Sequence, residues 1–232
     1  MLRKIAKESM GKADYGWLKS QFHFSFAEYY RPDNIQFGVL RVVNDDLVQP
    51  GTGFDMHPHR DMEIISYVVQ GELTHRDSMG NERTLSRGHV QYMSAGTGVF
   101  HSEYNLGAEV LRLLQIWILP DRTGLQPNYG EVKFRWEDRK NQWLHMVSGM
   151  EGEAPIRIHQ DANLYSLELD KGKEIDFSVK KGRQAYLVYI EGKGNVSGIM
   201  LEERDALEIV EEEMVIQAEE KSHLLVIEMK KA

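Results

Sequence analysis

The sequence predicts an all-β protein built as two tandem domains, and three observations carry that expectation. Apolar runs rich in Val, Ile, Leu and Tyr recur at residues 37–43, 64–69, 111–118, 186–190 and 224–229. Each is short and bounded by turn residues, as in the strands of a sandwich or barrel. Helical periodicity is weak, with only 13–18 and 27–30 reading as single turns. A break near 135–145 divides the chain into 1–135 and 136–232, and the second part echoes the first.

Between the strands, Asp77-Ser78-Met79-Gly80-Asn81 and Gly192-Lys193-Gly194-Asn195 read as turns, and 120–130 and 149–155 as loops. Tyr67-Val68-Val69-Gln70-Gly71-Glu72 sets over Val188-Tyr189-Ile190-Glu191-Gly192-Lys193 at an offset of 121, which also brings Gly51 onto Gly172. Each half then reads glycine, polar stretch, apolar strand, glycine, hairpin and strand, a pattern of one module written twice.

Composition narrows the chemistry. The 232 residues carry 28 Lys and Arg against 36 Asp and Glu, a net charge of −8. An acidic chain is poorly suited to a nucleic-acid backbone, which needs a positive stripe. No apolar run approaches the ~18 residues of a membrane-spanning helix. The basic N-terminus (Arg3, Lys4, Lys7) lacks the apolar stretch of a secretory signal, so a soluble, cytoplasmic protein is expected. With no cysteine, thiolate metal sites and cysteine nucleophiles are excluded. Any metal must be held by His, Asp, Glu or backbone oxygen.

Two short motifs offer such ligands: His57-Pro58-His59 and His101-Ser102-Glu103. In a strand, residues i and i+2 share a face, so each motif can present two donors to one side of a sheet. Neighbouring strands would bring the four together as an imidazole-rich, one-carboxylate set suited to Fe(II), Mn, Ni, Cu or Zn. Either motif alone is a common chance occurrence. The framing glycines sharpen the case: Gly51, Gly71, Gly88 and the turn Ala95-Gly96-Thr97-Gly98 would fold residue 57 back toward residue 101. Pro58 has no N–H to donate and suits an edge strand, a bulge or a barrel rim. His23, His75, His89, His145, His159 and His223 stand alone in the sequence and read as surface or core residues. Phe22, Phe24 and Phe26 alternate, as core or as the lining of a pocket. Met56 and Met93 could wall a cavity, and Glu211-Glu212-Glu213 reads as a solvated turn.

The spacing Gly51-x5-His57-x-His59-x3-Glu63-x7-Gly71 resembles the first cupin motif, with one extra residue before the last glycine. Gly88, Ser94-Ala95-Gly96, His101 and Asn105 resemble the second, with Ser94 where a proline is usual and a longer step from Gly96 to His101. The segments 57–63, 94–103, 22–26 and 40–46 resemble the pirin family in particular, strongly from about Gly16 to Pro120.

This resemblance implies a bicupin, two tandem β-barrel (jelly-roll) domains, with the metal in the N-terminal one and a degenerate C-terminal one. It implies one divalent ion, Fe(II) in the first place, with Mn, Ni, Cu, Zn or Co as alternatives. It carries the ligand role onto His57, His59, His101 and Glu103. Many cupins use the first-motif glutamate, here Glu63, as ligand; the pirin pattern favours Glu103 and leaves Glu63 to orient a ligand histidine or support the structure. Some bacterial pirin-like proteins are quercetin 2,3-dioxygenases, which open a flavonol with O2 and release carbon monoxide. The resemblance thus implies a flavonol-like substrate and O2, with Glu103 as the base that takes the substrate's hydroxyl proton. Other members, chiefly eukaryotic, are redox-linked transcriptional co-regulators. That alternative makes the metal site a sensor read by a protein partner the sequence does not identify.

Overall fold

The computed structural model describes residues 1–231, with 59% of residues in strands and only two short 3₁₀ turns, at Lys7–Ser9 and Trp136–Arg139. It divides into two compact units: Gly11–Phe134 with Ile158–Gln160, and Met1–Met10 with Arg135–Arg157 and the chain from Asp161 onward. No helix among the described residues is long and apolar enough to cross a membrane.

The chain opens with β1 (Leu2–Ile5), which belongs to the second unit. The first unit then runs β2 (Gly11–Asp14), β3 (Leu18–Phe22), β4 (Leu40–Val48), β5 (Thr52–His59), β6 (Glu63–Gln70) and β7 (Leu73–Asp77). It continues through β8 (Glu82–Leu85), β9 (His89–Ser94), β10 (Val99–Asn105), β11 (Leu111–Ile118) and β12 (Asn128–Lys133). These form a seven-stranded sheet, β12-β9-β6-β11-β4-β3-β2, and a four-stranded sheet, β5-β10-β7-β8. Alternation sorts the side chains. Along β11, Leu113, Gln115 and Trp117 face the other sheet, while Arg112 turns out to a bidentate pair with Asp45 (3.0 and 2.7 Å). Leu18, Val48, Val68, Leu73, Leu85, Leu111 and Leu113 pack together between the sheets.

The second unit holds β13 (Leu144–Gly149), β14 (Ile156–Ile158), β15 (Ala162–Leu169), β16 (Glu174–Ser178) and β17 (Arg183–Glu191). It ends with β18 (Lys193–Val196), β19 (Ile199–Glu202), β20 (Ala206–Val210), β21 (Glu213–Ala218) and β22 (Ser222–Lys230). Its sheets run β1-β20-β17-β22-β15-β13-β14 and β16-β21-β18-β19, strand for strand the plan of the first. β1 takes the place that β12 holds in the first unit. Both units are pairs of open sheets, the jelly-roll form of the cupin fold, rather than single closed rings.

Local chemistry explains several departures from the sequence reading. The two expected helical turns at 13–18 and 27–30 are instead a hairpin and a β-turn. Gly16, at φ 81, supplies the reversal between β2 and β3, and the Asp14 side chain accepts its N–H at 2.9 Å. Gly192 turns at φ 88, but the expected turn residues Lys193 to Asn195 already pair as strand. The strand expected at 37–43 starts at Leu40 and runs on to Val48. Glu211 does sit in a tight turn, at φ 52 between β20 and β21.

Candidate metal centre

β5 is an edge strand, and it tolerates Pro58 for the reason expected: no ladder hydrogen bond is needed on the open side. Its other side pairs with β10, placing His57 opposite His101 and His59 opposite Val99. The register then slips, so that Glu103 faces Phe54, with the bulge at Asp55 and Met56. Gly53 permits this close packing: a Cβ there would lie 2.3 Å from the Glu103 carbonyl oxygen.

The structure brings His57, His59 and His101 together, with ring centroids 4.5–4.8 Å apart and one nitrogen from each within 4.8 Å of the others. Burial is the main cause that holds His59 down to about 4 and His101 to about 3, with the neighbouring imidazoles adding to it. At neutral pH these two rings therefore keep a nitrogen lone pair. His57 Nδ1 lies 2.6 Å from the Asp55 carbonyl, so Nδ1 carries the proton and Nε2 is the free donor. His101 Nε2 is buried with no hydrogen-bond partner. A cluster of imidazoles, with His59 and His101 held neutral by burial and one buried nitrogen orphaned, fits a divalent cation in donor type.

Glu103 lies in a second, overlapping group with His75 and His101, again with donor atoms within 4.8 Å of one another. Its carboxylate is clamped. Gln91 Nε2 donates to Oε1 at 2.6 Å, the Ser66 hydroxyl stands 2.8 Å from the same oxygen, and Gln115 Nε2 donates to Oε2 at 2.6 Å. These partners come from one row across the seven-stranded sheet, where Asn44, Gln115, Ser66 and Gln91 pair in succession. A carboxylate offers about four acceptor positions, so Oε2 keeps one.

The centre opens on a cavity of about 580 Å³, within the range of small-molecule sites. Its aromatic wall includes Phe22, Phe26, Phe54 and Trp117. Trp117 meets His59 edge-on at 4.9 Å and Phe26 at 5.5 Å. Phe22 and Phe26 thus line a pocket, while Phe24 is core. Met56 lines the cavity, and Met93 packs in the core with Ile64, Ala95 and Val99. Asp46, which the sequence reading passed over, is also on the wall, 3% exposed. Burial pushes its carboxyl up to about 7, and its Oδ1 has no hydrogen-bond partner. The alternation of β4 separates it from Asp45, which faces outward to Arg112.

Glu63 lies elsewhere. It accepts from the Ser94 hydroxyl at 2.6 Å and from the His159 N–H at 3.3 Å, on the face of β6 opposite to the cavity-lining Ile64. Counting by twos from His57 through His59 to residue 63 fails because Arg60–Met62 form a turn, with Asp61 at φ 47. Of the isolated histidines, His75 alone joins a metal-competent group among the described residues. Its signal was cross-strand rather than sequential: β7 pairs with β10 and sets His75 opposite Glu103.

Comparison with known proteins agrees with this architecture. The Pirin family model matches residues 4–118, and a model described as the quercetinase C-terminal cupin domain matches 145–229. The chain is 42% identical to a pirin-like protein of Caulobacter vibrioides, covering 98% of this chain and 99% of that one. It is 38% identical to a quercetin 2,3-dioxygenase of Escherichia coli, covering 94% of each. The crystal structure of YhhW from Escherichia coli superposes with a TM-score of 0.95 at 36% identity, over 100% of this chain and 99% of that one. Its nickel(II) complex, described as a bacterial pirin, gives 0.94 at 35%, over the whole of both chains. The chain belongs to the pirin family.

Proposed function

We propose that this protein is a metal-dependent dioxygenase that opens the ring of a flavonol such as quercetin. The observation that carries the reading is the position of the three clustered imidazoles on the wall of an aromatic cavity of about 580 Å³. His57, His59, His101 and Glu103 would hold one divalent ion, Fe(II) being our expectation. Such an ion would act as a Lewis acid, lowering the pKa of a bound substrate hydroxyl.

The chain's own groups do the rest. Phe22, Phe26 and Trp117 pack against a flat polycyclic ligand and exclude water. Gln91, Ser66 and Gln115 fix the Glu103 carboxylate, whose one remaining acceptor position on Oε2 would face the ion and, on leaving it, take the substrate hydroxyl proton. The overall reaction consumes one flavonol and one O2 and yields one depside and one carbon monoxide. The name of the Escherichia coli relative supports this substrate class.

The test is aerobic turnover of quercetin by protein loaded separately with Fe(II), Mn(II), Ni(II) or Cu(II). Loss of the flavonol absorbance band and release of carbon monoxide are expected with at least one metal. No turnover with any of them would overturn the reading and favour a metal-binding interaction protein.

A further inference from the structure

Behind His101 lies a pair of fully buried polar side chains that the proposed chemistry leaves unused, those of His75 and Asp77. Both stand on β7, two residues apart and therefore on one face, and Asp77 pairs directly across from His101. His75 Nε2 lies 3.0 Å from Asp77 Oδ2, and His75 Nδ1 lies 3.5 Å from His101 Nδ1. The Asp77 carboxylate is itself fixed by the hairpin turn. The Met79 and Asn81 N–H groups donate to Oδ1 at 2.9 and 3.0 Å, and the Asn81 side chain donates to Oδ2 at 2.8 Å.

Hydrogen-bond polarity then propagates in one direction. Both Asp77 oxygens act as acceptors in the hairpin, so His75 donates to Oδ2 from a protonated Nε2. A neutral His75 consequently has its lone pair on Nδ1. His101 must then donate from Nδ1, which leaves its Nε2 as the bare donor atom, the same nitrogen that has no partner in the cluster. His57 reaches the same tautomer by a simpler route, through the Asp55 carbonyl.

We propose that Asp77, acting through His75, fixes the tautomer of His101 and aims its Nε2 lone pair at the metal position. His75 is a positioning residue here, not a ligand. The inference rests on the metal-centre reading for its purpose, but the tautomer itself is a property of the metal-free protein. The stacking of His75 on Tyr129 (4.6 Å, 15°) accounts for its burial and leaves its tautomer undetermined.

Two measurements test the relay. In metal-free protein, long-range ¹H–¹⁵N correlation spectra of the histidine rings should show His101 protonated on Nδ1 and His75 on Nε2. The opposite assignment for His101 would overturn the proposal whether or not metal binds. For Co(II), His75→Phe keeps the ring stack and removes the relay, and affinity should fall about 10–100-fold, as for lost outer partners of metal ligands. His75→Gln, whose amide oxygen can accept from His101 Nδ1, should recover most of that loss and retain the His101 tautomer. Equal losses in both variants, or unchanged affinity in His75→Phe, would sink the idea. If the wild-type protein takes up no Co(II), the metal reading fails, and the ring spectra alone decide the tautomer.

Discussion

At the β7–β8 hairpin of the first unit, Asp77 stands opposite His101 and His75 opposite Glu103. At the matching β18–β19 hairpin of the second, Val196 stands opposite Ile216 and Gly194 opposite Ala218. The strand plans are the same; the contents of the sheet pairs are not. The second unit fills the space with Leu187, Val196, Met214, Ile216 and their neighbours, a packed apolar core. The first gives part of that volume to a cavity and to a row of polar side chains that satisfy one another around Glu103. Buried polar groups are tolerable only when mutually paired, which explains why Ser66, Gln91 and Gln115 accompany Glu103. The difference teaches that this fold needs no centre to be stable, so the polar interior of the first unit calls for a functional explanation.

Substitutions that exchange the two interiors probe that contrast. The largest effect is expected from His101→Ile, which installs the residue the second unit uses at this place. Divalent-ion affinity measured by calorimetry should fall by more than the ~100-fold upper figure for outer partners, while the circular dichroism spectrum stays β. Retained affinity would separate the cluster from metal binding. Next, Ile216→Ala in the second unit should cost about 2–5 kcal/mol by chemical denaturation, the usual range for a buried Ile-to-Ala cavity. Metal affinity per folded molecule should not change.

The third test uses pH. Asp46 has a folded-state pKa raised to about 7 from 3.8, so the folded protein binds this proton more tightly than the unfolded chain does. The associated stability is complete below about pH 4 and is lost as pH rises through 7. Metal-free Asp46→Asn should therefore match the wild type near pH 4 and exceed it by on the order of 2 kcal/mol at pH 8. A pH-independent difference would contradict the burial of a carboxyl whose Oδ1 has no partner. The smallest change is expected at β1, where Arg3 bonds Glu208 through two nitrogens at 2.7 and 2.6 Å but is 59% exposed. Arg3→Ala should cost about 1 kcal/mol or less in thermal unfolding at moderate salt.

Much of this was legible because strands alternate. The run 111–118 was read to the residue, Pro58 marked an edge, and i, i+2 spacing put His57 and His59 on one face. What escaped was whatever depends on pairing between strands. His75 is alone in sequence and meets His101 only across β7–β10. Glu63 shares the parity of His57 and His59, but the turn at 60–62 resets the count and sends it to the other face. The offset of 121 read at Gly71 does not hold as far as His101, where the ladders put Ile216, 115 residues on. Part of the loss is local: Asp77 stands six positions after Gly71, but Val196 only four after Gly192. Asp46 carried no sequence signal of its own, because its burial follows from β3 and β11 flanking β4.

The placement of β1 has a consequence for how the chain can be cut. Leu2–Ile5 pairs with Ala206–Ile209, so Gly11–Phe134, all of the first unit but Ile158–Gln160, is spliced between one strand of the second and the others. A fragment starting at residue 136 would expose the β20 ladder as a raw edge, free to recruit strands from other molecules. Domain-swapped or aggregated material is the expected fate of such a fragment. A peptide spanning residues 1–10, supplied in trans, should rescue its solubility.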